Sequence, residues 1–177
     1  ATIEREGLDI YYIVGGARIA STSEQMLNQL KSTGCVGIAY GQESGSPTIL
    51  AEYKKGVTIE QNRDITNLTY KTGILCVVQL VIGSPSETDK TIDETIQFLK
   101  DLDCKVYSLN YIIPLPETAS WQYAIEHGLI KDQEKYLDEV AEYGGTIMPV
   151  NLTKEPDAEV QNWGPRINYE MNRHYYK

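Results

Sequence analysis

Four apolar segments of the chain alternate with amphipathic segments, and this alternation restricts the possible folds more than any other feature. The apolar segments have the length and composition of β-strands, and they are predicted at residues 8–14, 35–41, 74–83 and 105–114. Strands that alternate with helices of this length need right-handed crossover connections and form a parallel sheet. The sequence therefore predicts an α/β fold with a parallel sheet of about four βα units, either as an open sheet or as part of a (β/α) barrel.

The amphipathic segments carry start and stop signals of helices. Thr58 and Gln61 have the spacing of a capping box, Pro47 suits a first helical turn, and Gly34 and Gly73 are placed as helix stops. The predicted helical segments are 23–34, 46–56, 58–73, 86–103, 119–127 and 132–143. Residues 151–177 contain no further βα unit and are expected to form a helix packed on the outside or a linker. This predicts a βα domain in residues 1–130 and a C-terminal helical extension in residues 131–177.

Composition and net charge exclude several classes of partner and location. The 177 residues suffice for one sizeable core, and the formal net charge of −9 argues against nucleic acid or an anionic membrane as the main partner. No apolar stretch approaches the roughly 18 residues needed to span a bilayer. Because no charged leader opens the chain, the cytoplasm is the expected location. The chain begins "ATIEREG", which is typical of the end of a helix and suggests a piece of a longer protein.

No metal-ligand or nucleophile pattern is visible. Cys35, Cys76 and Cys104 are far apart in sequence, no CxxC or Cys/His cluster occurs, and three buried thiols are the preferred interpretation. Neither a Ser/His/Asp nor a Cys/His set is present. Hydrolysis by the paired carboxylates of Glu43 and Glu87 stays open as an alternative, because sequence spacing does not give their separation in space.

Unusual residues follow each predicted strand, at the edge where parallel sheets bind ligands. These turns are "GGAR" (15–18), "GQESGS" (41–46), "GSPSET" (83–88) and "PLPET" (114–118). Glu43 is the best candidate for binding an ammonium group or ribose hydroxyls, and Arg18 for binding a carboxylate. Gly83 allows close backbone approach of a ligand, although an N-cap by Ser86 would equally explain its turn.

These turns, in this order and with these βα spacings, resemble the radical S-adenosylmethionine (radical SAM) superfamily over roughly residues 7–130. The resemblance is greatest to its cobalamin-binding class, which includes the anaerobic magnesium-protoporphyrin monomethyl ester oxidative cyclases. It implies that the chain holds strands three to six of a (β/α)6 partial TIM barrel, truncated at its N-terminus.

The resemblance also implies site residues. The acid of the family's fourth-strand motif contacts S-adenosylmethionine, and Glu43 matches it. The residues that match the fourth-, fifth- and sixth-strand motifs are Gly41, Glu43, Ser44, Gly45 and Ser46; Gly83, Pro85, Glu87 and Thr88 near the adenine; and Pro114, Pro116 and Thr118. Leu115, between the two prolines, is a further expected cofactor-binding residue. Arg18 matches an arginine at the end of the third strand.

The sequence departs from the family at three places. Ser86 and Glu117 stand where glycine is usual, which puts the local backbone in question wherever that glycine needs a positive φ. The CxxxCxxC motif that ligates the 4Fe–4S cluster is absent from the chain, and the resemblance places it upstream of residue 1.

The resemblance therefore implies a C-terminal fragment of a radical SAM enzyme, inactive alone. The parent would use the cluster to form a 5′-deoxyadenosyl radical from S-adenosylmethionine and act on a small-molecule substrate. Its partner would be the missing N-terminal part of the domain, and the likeness to the cobalamin-binding class implies a cobalamin domain upstream. A second copy could pair through an exposed sheet edge. The alternatives are a non-catalytic (β/α) binding module without a cluster and a (β/α) hydrolase or lyase that uses Glu43 and Glu87.

Overall fold

A computed structural model describes residues 2–176 and contains one four-stranded parallel sheet of order β1-β2-β3-β4. The strands are β1 (Tyr12–Ala17), β2 (Cys35–Glu43), β3 (Leu75–Ile82) and β4 (Tyr107–Tyr111). The helices are α1 (Thr2–Arg5), α2 (Glu24–Ser32), α3 (Pro47–Glu52), α4 (Ile59–Lys71), α5 (Asp89–Lys100), α6 (Ala119–Glu126), α7 (Gln133–Tyr143) and α8 (Asp157–Tyr175). The predicted α/β fold with a parallel sheet is confirmed.

Several predicted strand boundaries are wrong: β1 ends at Ala17 and not at residue 14, and β4 spans Tyr107–Tyr111 and not residues 105–114. The first strand begins at Tyr12 and not at residue 8, because its pairing starts where the Tyr12 N–H donates to the Gly34 carbonyl at 3.2 Å. Residues 8–11 are apolar in part but exposed. The second strand continues two residues beyond the prediction, to Glu43. Pairing with a neighbouring strand sets these limits, and an apolar run alone does not reveal it.

The helix signals are confirmed. Thr58 and Gln61 form a capping box at the start of α4, and Pro47 occupies the first turn of α3. Gly34 and Gly73 follow α2 and α4 with φ of 94° and 75°, a region that glycine enters without steric cost.

Alternation along the strands gives the sheet two different faces. Ile38 and Tyr40 of β2 are fully buried, and the Tyr40 hydroxyl lies 2.9 Å from that of Thr69 on α4. The residues between them point to the opposite, concave face, which the helices do not cover; on β2 these are Gly37, Ala39, Gly41 and Glu43. In the partial barrel that the sequence predicts, this face would be the inner one.

The last helix, α8, packs on the helical layer. Its residues Val160, Trp163, Ile167 and Met171 are buried in the same core cluster as β3 and α5. Pro165 lacks the N–H that would bind the Gln161 carbonyl, and the Tyr111 hydroxyl donates to that carbonyl at 3.0 Å. The expected external helix is thus present. The boundary at residue 130 stays a prediction, since α8 shares a core with the βα units.

The segment between β4 and α8 builds a smaller core. Ala124, Ile130, Tyr136 and Leu152 are its buried members, and the Tyr136 hydroxyl donates to the Pro114 carbonyl at 3.0 Å. This bond ties α7 to the turn that follows β4. The small core therefore lies beside the carboxyl end of the sheet, where the turns with unusual residues are.

Candidate functional site

One cavity lies at the carboxyl ends of β1 and β2. Its volume is about 250 Å³, and its lining residues are Arg18, Ile19, Ala20, Gly41, Lys54, Lys55 and Val57. Arg18 follows β1 directly, and Gly41 is near the end of β2. The structure thus brings two of the predicted site residues, Arg18 and Gly41, to one cavity. Three cationic side chains line it, although the chain as a whole is acidic.

Glu43 is not one of the lining residues, but at the end of β2 its carboxylate pairs with Lys55, which is. Its Oε1 lies 2.6 Å from the Lys55 Nζ, and its side chain is 22% exposed. An added Cβ at Gly41 would lie 3.0 Å from the same oxygen and 3.8 Å from Lys55 Nζ. The glycine at position 41 therefore leaves room for the ion pair on the concave face.

The backbone at Glu43 is in a conformation that non-glycine residues rarely adopt. Its φ is 67°, and the pairing of β2 with β3 shifts register between Gly41 and Glu43. Such a conformation costs free energy and persists only where the surrounding structure imposes it. The φ of Lys54, which lines the cavity, is 50°. Strained residues of this kind cluster at functional sites.

Lys55 is a residue that the sequence reasoning missed. It lies in the loop between α3 and α4, twelve positions after Glu43, and a loop of this kind carries no periodic pattern that would pair the two. A second omission is Gln79, which pairs with Gly41 in the sheet register and points to the concave face. The sequence does mark this position, because Gln79 is the one polar residue in an otherwise apolar strand.

Ser44, Gly45 and Ser46 face the protein and not the cavity. Each is buried, and the Gly45 N–H donates to the Thr95 Oγ1 of α5 at 3.1 Å. The Ser44 Oγ lies 3.1 Å from the same Thr95 oxygen, and the Ser46 Oγ donates to Glu94 Oε2 at 2.5 Å. The Ser-Gly-Ser turn therefore fastens the end of β2 to α5. The predicted ligand contact of Ser44 stays untested, but its hydroxyl is inaccessible here.

Glu87 likewise turns its carboxylate inward. It is 1% exposed, and its Oε2 accepts the N–H groups of Gly83 at 2.5 Å and Ser84 at 3.3 Å. Burial raises the pKa of Glu87 to about 7, in spite of these two hydrogen bonds, which act in the opposite direction. Hydrolysis by Glu43 and Glu87 is incompatible with this geometry, because a fully buried Glu87 cannot reach a ligand at the rim.

The turn that Glu87 holds is itself largely inside the protein, because Gly83 and Ser84 are both buried. Gly83 has φ of 94°, and Ile112 and Tyr111 lie 3.6 and 3.7 Å from the position of an added Cβ. Pro85 is half-buried. The Ser86 N–H donates to Glu52 Oε2 at 3.2 Å, so the end of α3 supports this turn. The proposed N-cap by Ser86 is wrong: Thr88 caps α5, in a capping box with Thr91.

Comparison with known proteins gives relatives by sequence and by structure. No protein-family model matches the chain. The chain is 34% identical over 128 residues to an uncharacterized methyltransferase of Pyrococcus horikoshii, covering 72% of this chain and 28% of the relative. It is 26% identical over 113 residues to the anaerobic magnesium-protoporphyrin IX monomethyl ester cyclase of Rubrivivax gelatinosus, covering 64% of this chain and 20% of the cyclase.

Two solved structures share its fold. The radical S-adenosylmethionine methyltransferase of Kitasatospora setae, solved with cobalamin and a [4Fe-4S] cluster bound, superposes with a TM-score of 0.59 at 23% identity, over 69% of this chain and 26% of that one. Coproporphyrinogen III oxidase of Escherichia coli, a radical SAM enzyme, gives 0.60 at 15% identity, over 82% and 36%. The resemblance to the radical SAM superfamily that the sequence motifs indicate is confirmed by these relatives and by the shared fold. The chain spans less than a third of the length of these two sequence relatives.

The radical SAM motif after β4 has a glutamate where glycine is usual. Glu117 has φ of 68°, so this turn keeps the left-handed conformation in spite of the side chain. Ser86, the other replacement, is not among the described residues with positive φ and needs no such compensation. Thr118 caps α6 by accepting the Trp121 N–H at 3.2 Å, and Leu115 is 46% exposed beside Pro114, which is buried.

The superfamily's cluster has no ligand set in the described residues. Cys35, Cys76 and Cys104 are all buried, and residues 2–176 contain no group of three or more His, Cys, Asp or Glu side chains that could hold a metal ion. In the same range no helix is long and apolar enough to cross a membrane.

Proposed function

We propose that this chain forms the S-adenosylmethionine- and substrate-binding rim of a radical SAM catalytic domain. The single observation that carries the proposal is the Glu43–Lys55 pair, with Arg18 lining the same cavity at the carboxyl edge of a parallel sheet. Similarity to radical SAM enzymes in sequence and fold supports the catalytic part of the proposal.

The residues present fit the methionine part of S-adenosylmethionine, which carries an ammonium and a carboxylate on one carbon. A zwitterion needs an acid and a base close together, and Glu43 and Lys55 are 2.6 Å apart. Glu43 would accept the ligand's ammonium, while Arg18 and Lys55 would bind its carboxylate. The bound ligand would thus separate Glu43 from Lys55, with its ammonium group paired to Glu43 and its carboxylate paired to the cations.

The adenosine part would lie toward the Gly83 turn. The backbone there can approach a ligand closely, since Gly83 presents no side chain, and Glu87 holds the turn from beneath. Pro85 and Leu115 would add apolar contacts, and Gln79 would add an amide from the concave face. In this proposal Ser44 and Glu87 shape the site and do not touch the ligand.

The cluster does not fit the residues of this chain, as the buried and separated cysteines show. We propose that its ligands lie outside the chain, and that the 177 residues alone are inactive. In such an enzyme, S-adenosylmethionine bound at a reduced [4Fe–4S] cluster supplies a 5′-deoxyadenosyl radical. The residues described here would bind, orient and enclose the reactants.

Further parts of the proposal rest on the relatives. The methyltransferase structure contains cobalamin, which supports a cobalamin domain elsewhere in the parent. A small molecule is the proposed substrate, because the net charge of −9 disfavours nucleic acid. We propose a cytoplasmic location for the same protein.

The test is binding of S-adenosylmethionine by the complete gene product, purified without oxygen and with its cluster reconstituted. Glu43→Gln should weaken binding at least about tenfold, because it removes a charge-assisted contact. Glu139→Gln is the matched control, since Glu139 also has a lysine partner but is far along the chain on exposed α7. Unchanged binding by Glu43→Gln would contradict the proposed binding site. A stoichiometric [4Fe–4S] spectrum from residues 1–177 alone would contradict the proposal that the cluster ligands lie outside this chain.

The cobalamin content of the complete protein tests the proposed cobalamin domain.

A further inference from the structure

The turn that carries Glu43 is fastened to α5 through two side chains, Glu94 and Thr95, and of these Thr95 receives a backbone N–H of the turn. This threonine is 1% exposed, and its Oγ1 accepts the Gly45 N–H at 3.1 Å. The same oxygen lies 3.1 Å from the Ser44 Oγ and donates to the Thr91 carbonyl at 3.1 Å. Thr95 belongs to none of the sequence motifs at the rim, and it lies more than fifty positions after Glu43.

The contact is so close that only glycine fits at position 45. An added Cβ there would lie 2.5 Å from the Phe98 Cβ and 2.6 Å from the Thr95 Cα. Gly45 has no positive φ, so space and not conformational freedom requires the glycine. The backbone of the turn thus rests directly on the helix, with the Thr95 hydroxyl as the polar group that receives it.

This attachment begins at the residue after Glu43, whose φ is 67°. A glutamate released from such a conformation relaxes toward negative φ, which turns its side chain away from its present direction. The Ser46 N–H also donates to Ser44 Oγ at 3.0 Å, so the turn is internally braced, but this bond does not reach the helix. The Thr95 hydroxyl provides the hydrogen bond that connects the braced turn to α5 through a backbone N–H.

We propose that Thr95 is a positioning residue for Glu43: by receiving the Gly45 N–H, it holds Glu43 in the backbone conformation that directs its carboxylate to Lys55 and to the ligand. The inference rests on the proposed function, since it deepens the role of Glu43 in binding S-adenosylmethionine. Thr95 itself does not contact the ligand. Its effect on binding passes through Glu43.

The experiment measures S-adenosylmethionine dissociation constants for variants of the complete protein. Thr95→Val keeps the volume but leaves the Gly45 N–H without its acceptor, and binding should weaken about five- to tenfold. Thr95→Ser restores the hydroxyl and should restore most of the affinity. Thr69→Val is the matched control, because Thr69 is a buried threonine of α4 with a hydroxyl partner, Tyr40, away from the turn. It should leave the affinity unchanged.

A double-mutant cycle separates positioning from general destabilisation. If Thr95 acts through Glu43, Thr95→Val should have no further effect in the Glu43→Gln background. Additive losses, or equal losses from Thr95→Val and Thr69→Val, would overturn the inference while leaving the proposed function intact. If Glu43→Gln alone leaves binding unchanged, the proposed function itself is wrong. That result differs from one in which Glu43→Gln weakens binding and Thr95→Val does not, which contradicts only the role of Thr95.

Discussion

The buried carboxyl group of Glu87 should make the stability of the protein depend on pH in a way that one substitution removes. Both N–H bonds go to Oε2, and Oε1 has no hydrogen-bond partner among the described residues. Burial raises the pKa of Glu87 from the usual 4.5 to about 7. This rise corresponds to about 3 kcal/mol of free energy of unfolding.

The sign of the effect follows from the direction of the shift. Below pH 4.5 Glu87 is neutral in the folded and the unfolded protein, and its contribution to stability is fully present. Between pH 4.5 and about 7 the unfolded chain releases the proton while the folded protein keeps it, so stability falls as pH rises. Above about pH 7 the folded protein carries a buried charge and the loss is complete.

Glu87→Gln should remove this dependence. The glutamine oxygen can accept the N–H groups of Gly83 and Ser84, and its amide nitrogen takes the position of Oε1 and cannot ionise. The buried hydroxyls of Ser84 and Tyr53 also have no hydrogen-bond partner among residues 2–176. Burial raises the pKa of Tyr53, and the charge of the Glu87 carboxylate raises it further. These hydroxyls offer acceptors for the new amide. The variant should match the wild type near pH 5 and exceed its stability by about 2–3 kcal/mol at pH 8.

Urea denaturation from pH 5 to 8.5, followed by tryptophan fluorescence, measures the difference. The other carboxyl groups titrate in both proteins and cancel in the comparison. Glu139→Gln, at an exposed position, controls for the change of net charge. Parallel stability curves for Glu87→Gln and the wild type would refute the reasoning, because they would show that Glu87 ionises alike in both states.

Two further predictions concern packing and hydrogen bonding elsewhere. Gly45→Ala should lower the free energy of unfolding by about 2–3 kcal/mol, because the new methyl group meets Phe98 and the Thr95 backbone; Gly15→Ala, with no atom within 4 Å, should change it little by comparison in urea denaturation. Tyr111→Phe should cost about 1–2 kcal/mol in thermal unfolding, since the Gln161 carbonyl that Pro165 cannot serve loses its donor. Equal costs for Tyr111→Phe and Tyr107→Phe, whose hydroxyl bonds an exposed asparagine side chain, would argue against the role given to Pro165.

The elements that follow from local chemistry could be predicted from the sequence. The capping box of Thr58 and Gln61 acts over three residues, and the apolar stripe of α5 repeats within one helix. Parallel strand order likewise follows from the alternation of strands and helices. The start of β1 could not be predicted, because the Gly34 carbonyl that receives the Tyr12 N–H lies twenty-two positions away. Apolar residues 8–11 would suit a strand, but no neighbouring strand pairs with them.

The position of the candidate site at the strand ends could be predicted from the sequence, but only some of its residues could. The turns at the strand ends fixed the edge, and Arg18 and Glu43 were recognised there by their chemistry. Lys55 was missed because its pairing with Glu43 depends on how the α3–α4 loop folds back over β2. The inward direction of Glu87 depends on two backbone N–H groups that exist only once the Gly83 turn has formed.

A sequence motif at this rim therefore specifies backbone shape as much as ligand chemistry. Ser44 and Glu87 are polar residues of two of these motifs, yet both are buried and bonded to the protein, whereas Lys55 belongs to none of the motifs and pairs with Glu43. Buried polar groups that are satisfied by backbone bonds fix a unique conformation, because any other arrangement leaves them unpaired. Substitution of these inward residues should then weaken ligand binding only through the position of Glu43 or of the Gly83 turn. In the proposed function the ligand would be recognised by the cations that line the cavity and by Glu43, which pairs with one of them.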